Sequence, residues 1–167
     1  MSPPADALIV ISDSLLDRLV ETVRSRFPEK TFGYLVSDID ERTPTDLVTF
    51  GENVRNTPDW RGEFHAYGQY FVDHDDAGFV AAPEEAWRLQ QEIWAAGQFE
   101  VGVFHSHQRH PANFSQIDYE MHISRFTSLW HLIVSMRNPE LPQVRAFDVS
   151  SQGTRELLLD VTARPGR

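Results

Sequence analysis

A short stretch of the sequence concentrates residue types that bind metal ions. His105 and His107 are separated by one residue at the end of an apolar run, and Ser115 and Asp118 follow in the next segment. Side chains of a strand alternate between its two faces, so both imidazoles are expected to project to the same side. Two neutral imidazoles on one face form half of a tetrahedral zinc site.

The spacing of Ser115 and Asp118 predicts the rest of the site. Residues three apart share one face of a helix, so these two would lie together near its first turn. If the loop folds that turn back over the end of the strand, Asp118 supplies an oxygen ligand and a fourth position remains for water. Three protein ligands and a water are typical of a catalytic zinc site. Simpler interpretations remain open, because the histidines could be ordinary core or edge residues and Ser115 with Asp118 could form a helix cap.

Taken together, His-Ser-His, seven residues, Ser, two residues and Asp match without a gap the signature H-[ST]-H-x7-S-x2-D. The chain therefore resembles the JAMM (JAB/MPN, Mov34) zinc metalloproteases, as a small member of prokaryotic type. The resemblance covers about residues 5–162. Its weaker parts are a core strand, an asparagine-bearing stretch and a late strand, at Gly33–Val36, at Asn53 and Asn56, and at Arg145–Asp148.

The resemblance implies a role for each residue of the motif. His105, His107 and Asp118 would hold one zinc ion per chain. Ser115 would be a catalytic residue that stabilises the oxyanion formed when water attacks the scissile carbonyl. A glutamate from an upstream segment would act as general base and then as acid toward the leaving amine.

The position of that glutamate is where the chain departs from the family pattern. The family's glutamate usually stands three residues before a strand glycine, and if this glycine is Gly33 the matching residue is Lys30. Glu29 lies one place earlier, and a shift of one residue turns a strand side chain to the opposite face. An irregular start of the strand could correct this, and we predict that Glu29 is the catalytic base. Another glutamate (Glu21, Glu52, Glu63 or Glu100) and the absence of any base remain as alternatives.

The elements that must position these residues follow from hydrophobic patterns and breakers. A mixed order of helices and strands indicates helices packed on a curved sheet. The resemblance implies an α/β (α+β) fold, a single JAB/MPN-like domain over residues 1–167 with a mostly antiparallel sheet. Residues 52–82 are expected to be irregular, with an acidic cluster at 73–76. Strands are predicted at 7–11, 31–37, 46–50, 100–105, 130–136, 144–149 and 156–161, and helices at 15–26, at 83–96 and from Ser115.

Composition narrows the possible functions. Lys and Arg number 15 against 25 Asp and Glu, a formal charge of −10, so we expect no nucleic-acid partner. No apolar run approaches the roughly 18 residues of a membrane span, and the first residues lack the features of a secretory signal. Cysteine is absent, which excludes thiolate ligands and fits a cytoplasmic protein.

The resemblance implies a zinc-dependent metallopeptidase or isopeptidase. Its substrate would be a ubiquitin-like or sulfur-carrier protein ending in Gly-Gly, because residues without side chains pass most easily through a narrow channel. The alternatives are a catalytically silent MPN scaffold and a zinc amidohydrolase that acts on a small amide. The remaining histidines are interpreted as surface or packing residues, namely His65, His74, His110, His122 and His131.

Overall fold

A computed structural model describes residues 4–39, 42–66, 68–69, 78–126 and 128–163, apart from the side chains of Ala5 and of residues 63–65. The acidic cluster predicted at 73–76 lies outside the described residues. Within them, the chain forms seven strands and four α-helices, after a short 3-10 turn at Ala5–Ala7. The strands are β1 (Leu8–Ser12), β2 (Phe32–Ser37), β3 (Asp46–Thr49), β4 (Phe99–His107), β5 (Trp130–Ser135), β6 (Gln143–Ser150) and β7 (Gly153–Thr162). The helices are α1 (Asp13–Arg26), α2 (Pro58–His65), α3 (Pro83–Ala95) and α4 (Gln116–Arg125).

All seven strands join one sheet in the order β1-β7-β6-β5-β4-β2-β3. The pairs β1–β7 and β4–β5 are parallel and the other pairs are antiparallel. The register of β2 on β4 shifts between Leu35 and Val36, where Val101 of β4 has no partner on β2. An extra residue of this kind bends a strand. The predicted α/β fold with a mostly antiparallel sheet is confirmed.

Local sequence signals explain where the helices next to the sheet begin. The Ser12 hydroxyl accepts a hydrogen bond from the backbone N–H of Leu15 and caps α1. Leu15, Leu19 and Val23 recur at helical spacing and are the buried residues of α1. Pro83 occupies the first turn of α3, where a missing N–H costs nothing.

Strand β4 is an inner strand of the sheet, and its two faces contact different apolar clusters. The side chain of Phe104 packs into a large cluster with residues of α1, β5 and β7, whereas Val103 packs with aromatic residues around Phe32 and Phe79. His105 follows Val103 on the same face, where its ring lies 5.2 Å from that of Phe79. The alternation predicted for this strand therefore places the histidines on the aromatic side of the sheet.

The segment predicted as irregular at 52–82 is more ordered than expected where it is described. It contains α2, and Asn53 forms an isolated antiparallel bridge with Ala81. α2 has only eight residues, with Gly62 in its interior, and such a short helix has no repeating apolar pattern to find. None of the described helices is long and apolar enough to cross a membrane.

Candidate metal centre

The end of β4 delivers two histidines into a buried position. β4 lies between β2 and β5, so that His105 pairs with Phe32 on one side and with Ile133 on the other. His105 is 0% and His107 is 9% exposed. Because both neighbours of the strand are hydrogen-bonded along this stretch, the backbone under the two imidazoles is fixed.

The start of α4 brings Asp118 to the same place. The Ser115 hydroxyl accepts a hydrogen bond of 3.1 Å from the backbone N–H of Asp118, and Asp118 Oδ2 accepts one of 3.1 Å from the backbone N–H of Ser115. This reciprocal capping box holds the first turn of the helix. The helix-cap interpretation of Ser115 and Asp118 is therefore correct, and the cap itself turns the Asp118 carboxylate toward the histidines.

The three side chains meet at a spacing that suits a metal ion. His105 Nε2 and His107 Nε2 lie 3.0 Å apart, and they lie 3.1 and 3.2 Å from Asp118 Oδ1 and Oδ2. Tetrahedral zinc with bonds of 2.0–2.1 Å would hold its ligand atoms about 3.3 Å apart. The three residues are also the group of possible ligands that the described part of the chain brings together.

An unpaired oxygen shows that these residues fit a cation. Asp118 is 2% exposed, and its Oδ1 atom has no hydrogen-bond partner among the described residues. His105 Nε2 is close to this atom but is not aligned to donate to it. A buried carboxylate oxygen without a partner is unfavourable, and a bound metal ion would compensate it.

Each imidazole also uses its second nitrogen. His107 Nδ1 donates to the backbone carbonyl of Pro111 over 2.8 Å, which leaves the Nε2 lone pair of His107 free to bind a metal. His105 Nδ1 lies 2.6 Å from His131 Nε2, and His131 Nδ1 lies 2.9 Å from His122 Nδ1. The chain thus places a row of three imidazoles behind the candidate centre.

His122 and His131 were interpreted from the sequence as surface or packing residues, and the structure gives them a more specific place. Both are buried and connected to a candidate ligand. A signal for His131 was available, because it is a titratable residue inside an apolar strand, and buried polar groups require partners. Its partner could not be identified from spacing, since β5 joins β4 only in the folded sheet. His110 is exposed, as expected, and the side chains of His65 and His74 lie outside the described residues.

Electrostatics favour the protonation states that bind metals. Burial lowers the pKa of His105 to about 4, only partly opposed by the neighbouring Asp118. Burial alone would raise the pKa of Asp118, but His105 and His107 hold this pKa well below its ordinary value. Near neutral pH the site therefore contains a neutral His105 imidazole and an ionised carboxylate.

The proposed base, Glu29, lines a pocket to which none of the three candidate ligands contributes. Glu29 lines an open pocket of about 640 Å³ together with Lys30, Glu52 and Gln108, and Gln108 directly follows the ligand His107. The Glu29 carboxylate makes no hydrogen bond or ion pair with the described residues. Its role as base stays a prediction, and Glu52 is a second carboxylate of the same pocket.

Lys30 occupies the position next to the ligands that the family pattern gives to glutamate. Phe32 pairs with His105, and the backbone N–H of Ser106 donates to Thr31, which brings Lys30 level with His107. The Lys30 charge contributes to the lowered pKa of His105. The Lys30 ammonium group donates a hydrogen bond of 3.1 Å to the carbonyl of Gly78. This hydrogen bond therefore connects the residues just before β2 to the segment that contains Phe79.

Solved structures share this architecture. A protein from Desulfitobacterium hafniense has 20% identity and a TM-score of 0.71, with 93% of this chain and 94% of that chain covered. A protein from Salinibacter ruber has 23% identity and a TM-score of 0.57, with 94% and 92% covered. A JAB1/MPN domain protein from Archaeoglobus fulgidus has 19% identity and a TM-score of 0.52, with 92% and 98% covered. At these identities the likeness concerns the fold.

The family follows from the sequence. A comparison with curated proteins gave no match. The model of a family described as prokaryotic homologues of the JAB domain matches residues 12–149, which include the strand, loop and helix that carry His105, His107 and Asp118. The chain belongs to the prokaryotic JAB domain family.

Proposed function

We propose that this protein is a zinc-dependent peptidase or isopeptidase that cuts next to the Gly-Gly tail of a ubiquitin-like or sulfur-carrier protein. The observation that carries the proposal is the buried group of His105, His107 and Asp118, with an unpaired carboxylate oxygen at its centre. An open pocket lined by two glutamates includes Gln108, the residue that follows His107.

Zinc is the metal that the ligand set favours. Two imidazole nitrogens and one carboxylate oxygen form a known type of catalytic zinc site, whose fourth position stays open. Zinc bound there would polarise a carbonyl group and activate water for attack on it. A scaffold would not need three ligands held in this geometry, so the ligand set favours an enzyme.

The residues around the centre have separate tasks in this proposal. The Ser115 oxygen accepts a hydrogen bond from the backbone N–H of Asp118, but the O–H group of Ser115 remains available to donate to an oxyanion. Glu29 would take a proton from water and return it to the leaving nitrogen. Glu52, in the same pocket, is the alternative carboxylate for this task.

The burial of the centre supports a slender substrate. His105, His107 and Asp118 are at most 9% exposed, so a scissile bond reaches them only if the residues on either side are narrow. An extended Gly-Gly tail meets this condition, because glycine adds no side chain to the backbone. We therefore propose a carrier protein of the cytoplasm with such a tail as the partner.

The test is cleavage of a defined substrate. The protein loaded with zinc would be incubated with a small ubiquitin-like carrier whose Gly-Gly end is extended by a few residues, and products would be identified by mass spectrometry. We expect cleavage directly after Gly-Gly, and none when the two glycines are replaced by valines. A parallel substrate with the carrier joined to a lysine side chain distinguishes isopeptidase from peptidase activity.

Variants link the activity to the centre. His107→Ala should lose both zinc and cleavage. His110→Ala, which changes an exposed histidine three residues further along the chain, should keep both. Glu29→Gln should keep zinc and lose most hydrolysis. If Glu52→Gln shows this loss and Glu29→Gln does not, Glu52 is the base. Wild-type protein that holds zinc but cleaves neither substrate would contradict the proposed specificity. Hydrolysis of small amides by such a protein would support an amidohydrolase instead.

A further inference from the structure

Three imidazoles form a continuous row that leads away from the candidate metal centre. His105, His131 and His122 are at most 1% exposed, and neighbouring rings share hydrogen-bond distances of 2.6 and 2.9 Å. Phe114 packs against the ring of His131 at 5.0 Å between centroids. Two of the three histidines have no place in the metal-binding motif, and the proposed reaction does not use them.

The proton positions in this row are coupled. A neutral imidazole carries one N–H and one bare nitrogen. When His105 Nε2 binds a metal, its proton must be on Nδ1, which then donates to His131 Nε2. The proton of His131 must in turn be on Nδ1 and donate to His122 Nδ1. The proton of His122 is then on Nε2, so that one bound ion determines all three tautomers.

Without a metal the row can run in the opposite direction. His105 then carries its proton on Nε2, where it can donate to His107 Nε2 at 3.0 Å. His131 Nε2–H donates to His105 Nδ1, and His122 Nδ1–H donates to His131 Nδ1. Within the row, both arrangements contain three N–H groups and two hydrogen bonds between rings. They differ at His122 Nε2, which is buried without a hydrogen-bond partner among the described residues and carries a proton only in the metal-bound arrangement.

We propose that His131 is a positioning residue that, supported by His122, keeps the His105 ring oriented both before and after the metal binds. This inference rests on the metal centre of the proposed function. The second nitrogen of a ligating histidine commonly donates to a carboxylate, a carbonyl or water, and His107 does so with Pro111. A carbonyl only accepts hydrogen bonds, but an imidazole can change from donor to acceptor. His131 can therefore follow the tautomer of His105 without losing the contact.

Aromatic side chains surround the row, since Phe79 packs against His105, Phe114 against His131 and Phe126 against His122. A permanently charged partner would fix the direction of the hydrogen bond, whereas a neutral ring leaves it free.

The direct test is nitrogen-15 NMR of the imidazoles in the wild-type protein, before and after one equivalent of zinc. With zinc, we expect His105 and His131 protonated at Nδ1 and His122 at Nε2. Without zinc, we expect His131 protonated at Nε2. A zinc-loaded protein with the His131 proton on Nε2 would overturn the proposed positioning role of His131 while leaving the metal centre intact. If the wild type binds no zinc, both the proposed function and the positioning role of His131 are wrong.

Two substitutions at one position separate hydrogen bonding from packing. His131→Phe fills the space but has no polar atoms, and we expect a 10- to 100-fold weaker zinc affinity, the range typical for loss of such a partner. His131→Gln offers one acceptor and one donor and should stay within a few-fold of wild type. Phe114→Leu changes the packing on the same ring and should leave zinc affinity nearly unchanged. Zinc affinity in His131→Phe equal to wild type, or an equal loss in His131→Gln, would overturn the proposal.

Discussion

The two histidines of the candidate metal centre are held by different kinds of partner. His107 Nδ1 donates to a backbone carbonyl, which fixes one tautomer, whereas His105 faces another imidazole. Asp118 is held by the backbone of Ser115 through one oxygen and keeps the other oxygen unpaired. Each ligand thus has one atom committed to the protein and one atom left for a metal.

Ser115 tests whether capping and catalysis can be separated. Ser115→Ala removes the cap of α4 and should cost about 1 kcal/mol of folding stability. Zinc should remain bound, because the backbone N–H of residue 115 still holds Asp118 Oδ2. Hydrolysis should slow by on the order of a hundredfold if the hydroxyl stabilises an oxyanion. Thermal melts, zinc content and rates on one preparation give these three values.

The matched control for Ser115 lies on the same helix. Ser124 donates to the carbonyl of Met121 in the last turn of α4 and contacts no candidate ligand. Ser124→Ala should leave the rate unchanged. A full hydrolysis rate in Ser115→Ala would reduce its role to that of a helix cap.

At the scale of elements, the sequence predicts what is local and misses what depends on neighbours. The start of α4 follows from Ser115 because a cap is a contact within four residues. The alternation along β4 was also readable, and it places His105 and His107 on one face. The parallel pairing of β4 with β5 could not be predicted from the sequence, since parallel partners are set by the whole sheet. For this reason the contact of His105 on β4 with His131 on β5 was not predicted.

The start of β2 shows why the position of the base could not be read from the sequence. The Ser106 hydroxyl, on the face of β4 opposite the histidines, accepts the backbone N–H of Thr31 over 2.8 Å. This contact fixes where Lys30 and Glu29 leave the sheet. Sequence spacing identifies Lys30 as the matching residue but does not include such a clamp.

Gly33 is a prediction at the scale of the β2–β3 pair. A Cβ atom at this position would lie 2.0 Å from the carbonyl oxygen of Val48, so Gly33→Ala should push β3 away from β2. Overpacking of this kind typically costs about 1–3 kcal/mol, and a backbone atom offers little room to yield. Chemical denaturation measures the loss. Because β2 also pairs with His105, zinc affinity should fall as well.

Gly62 provides the matched control for Gly33. It lies in α2, and a Cβ atom there would meet nothing within 4 Å. Gly62→Ala should therefore be neutral or stabilise the protein by up to about 1 kcal/mol, as expected for alanine in a helix. Equal stabilities of Gly33→Ala and wild type would show that β3 is not held where we describe it.

For the whole molecule, the candidate metal centre joins the sheet to helix α4. His105 and His107 belong to β4, and Asp118, eleven residues after His107, belongs to the first turn of α4. Without a metal, His105 and His107 face the Asp118 carboxylate, and one oxygen of this carboxylate has no hydrogen-bond partner among the described residues. The free energy of metal binding therefore adds to the stability of the native state.

This coupling makes thermal stability a measure of metal binding for the whole domain. Zinc at a free concentration of about 100 times its dissociation constant stabilises a protein that binds it only when folded by about 2.7 kcal/mol. For a domain of this size, 1 kcal/mol shifts the melting temperature by about 2–4 °C, so zinc should raise it by roughly 5–11 °C. A chelator should reverse the shift. His110→Ala should keep the shift and His107→Ala should lose it, because only the latter removes a ligand. A shift of the same size in His107→Ala would place the zinc elsewhere in the protein and contradict the assignment of the centre.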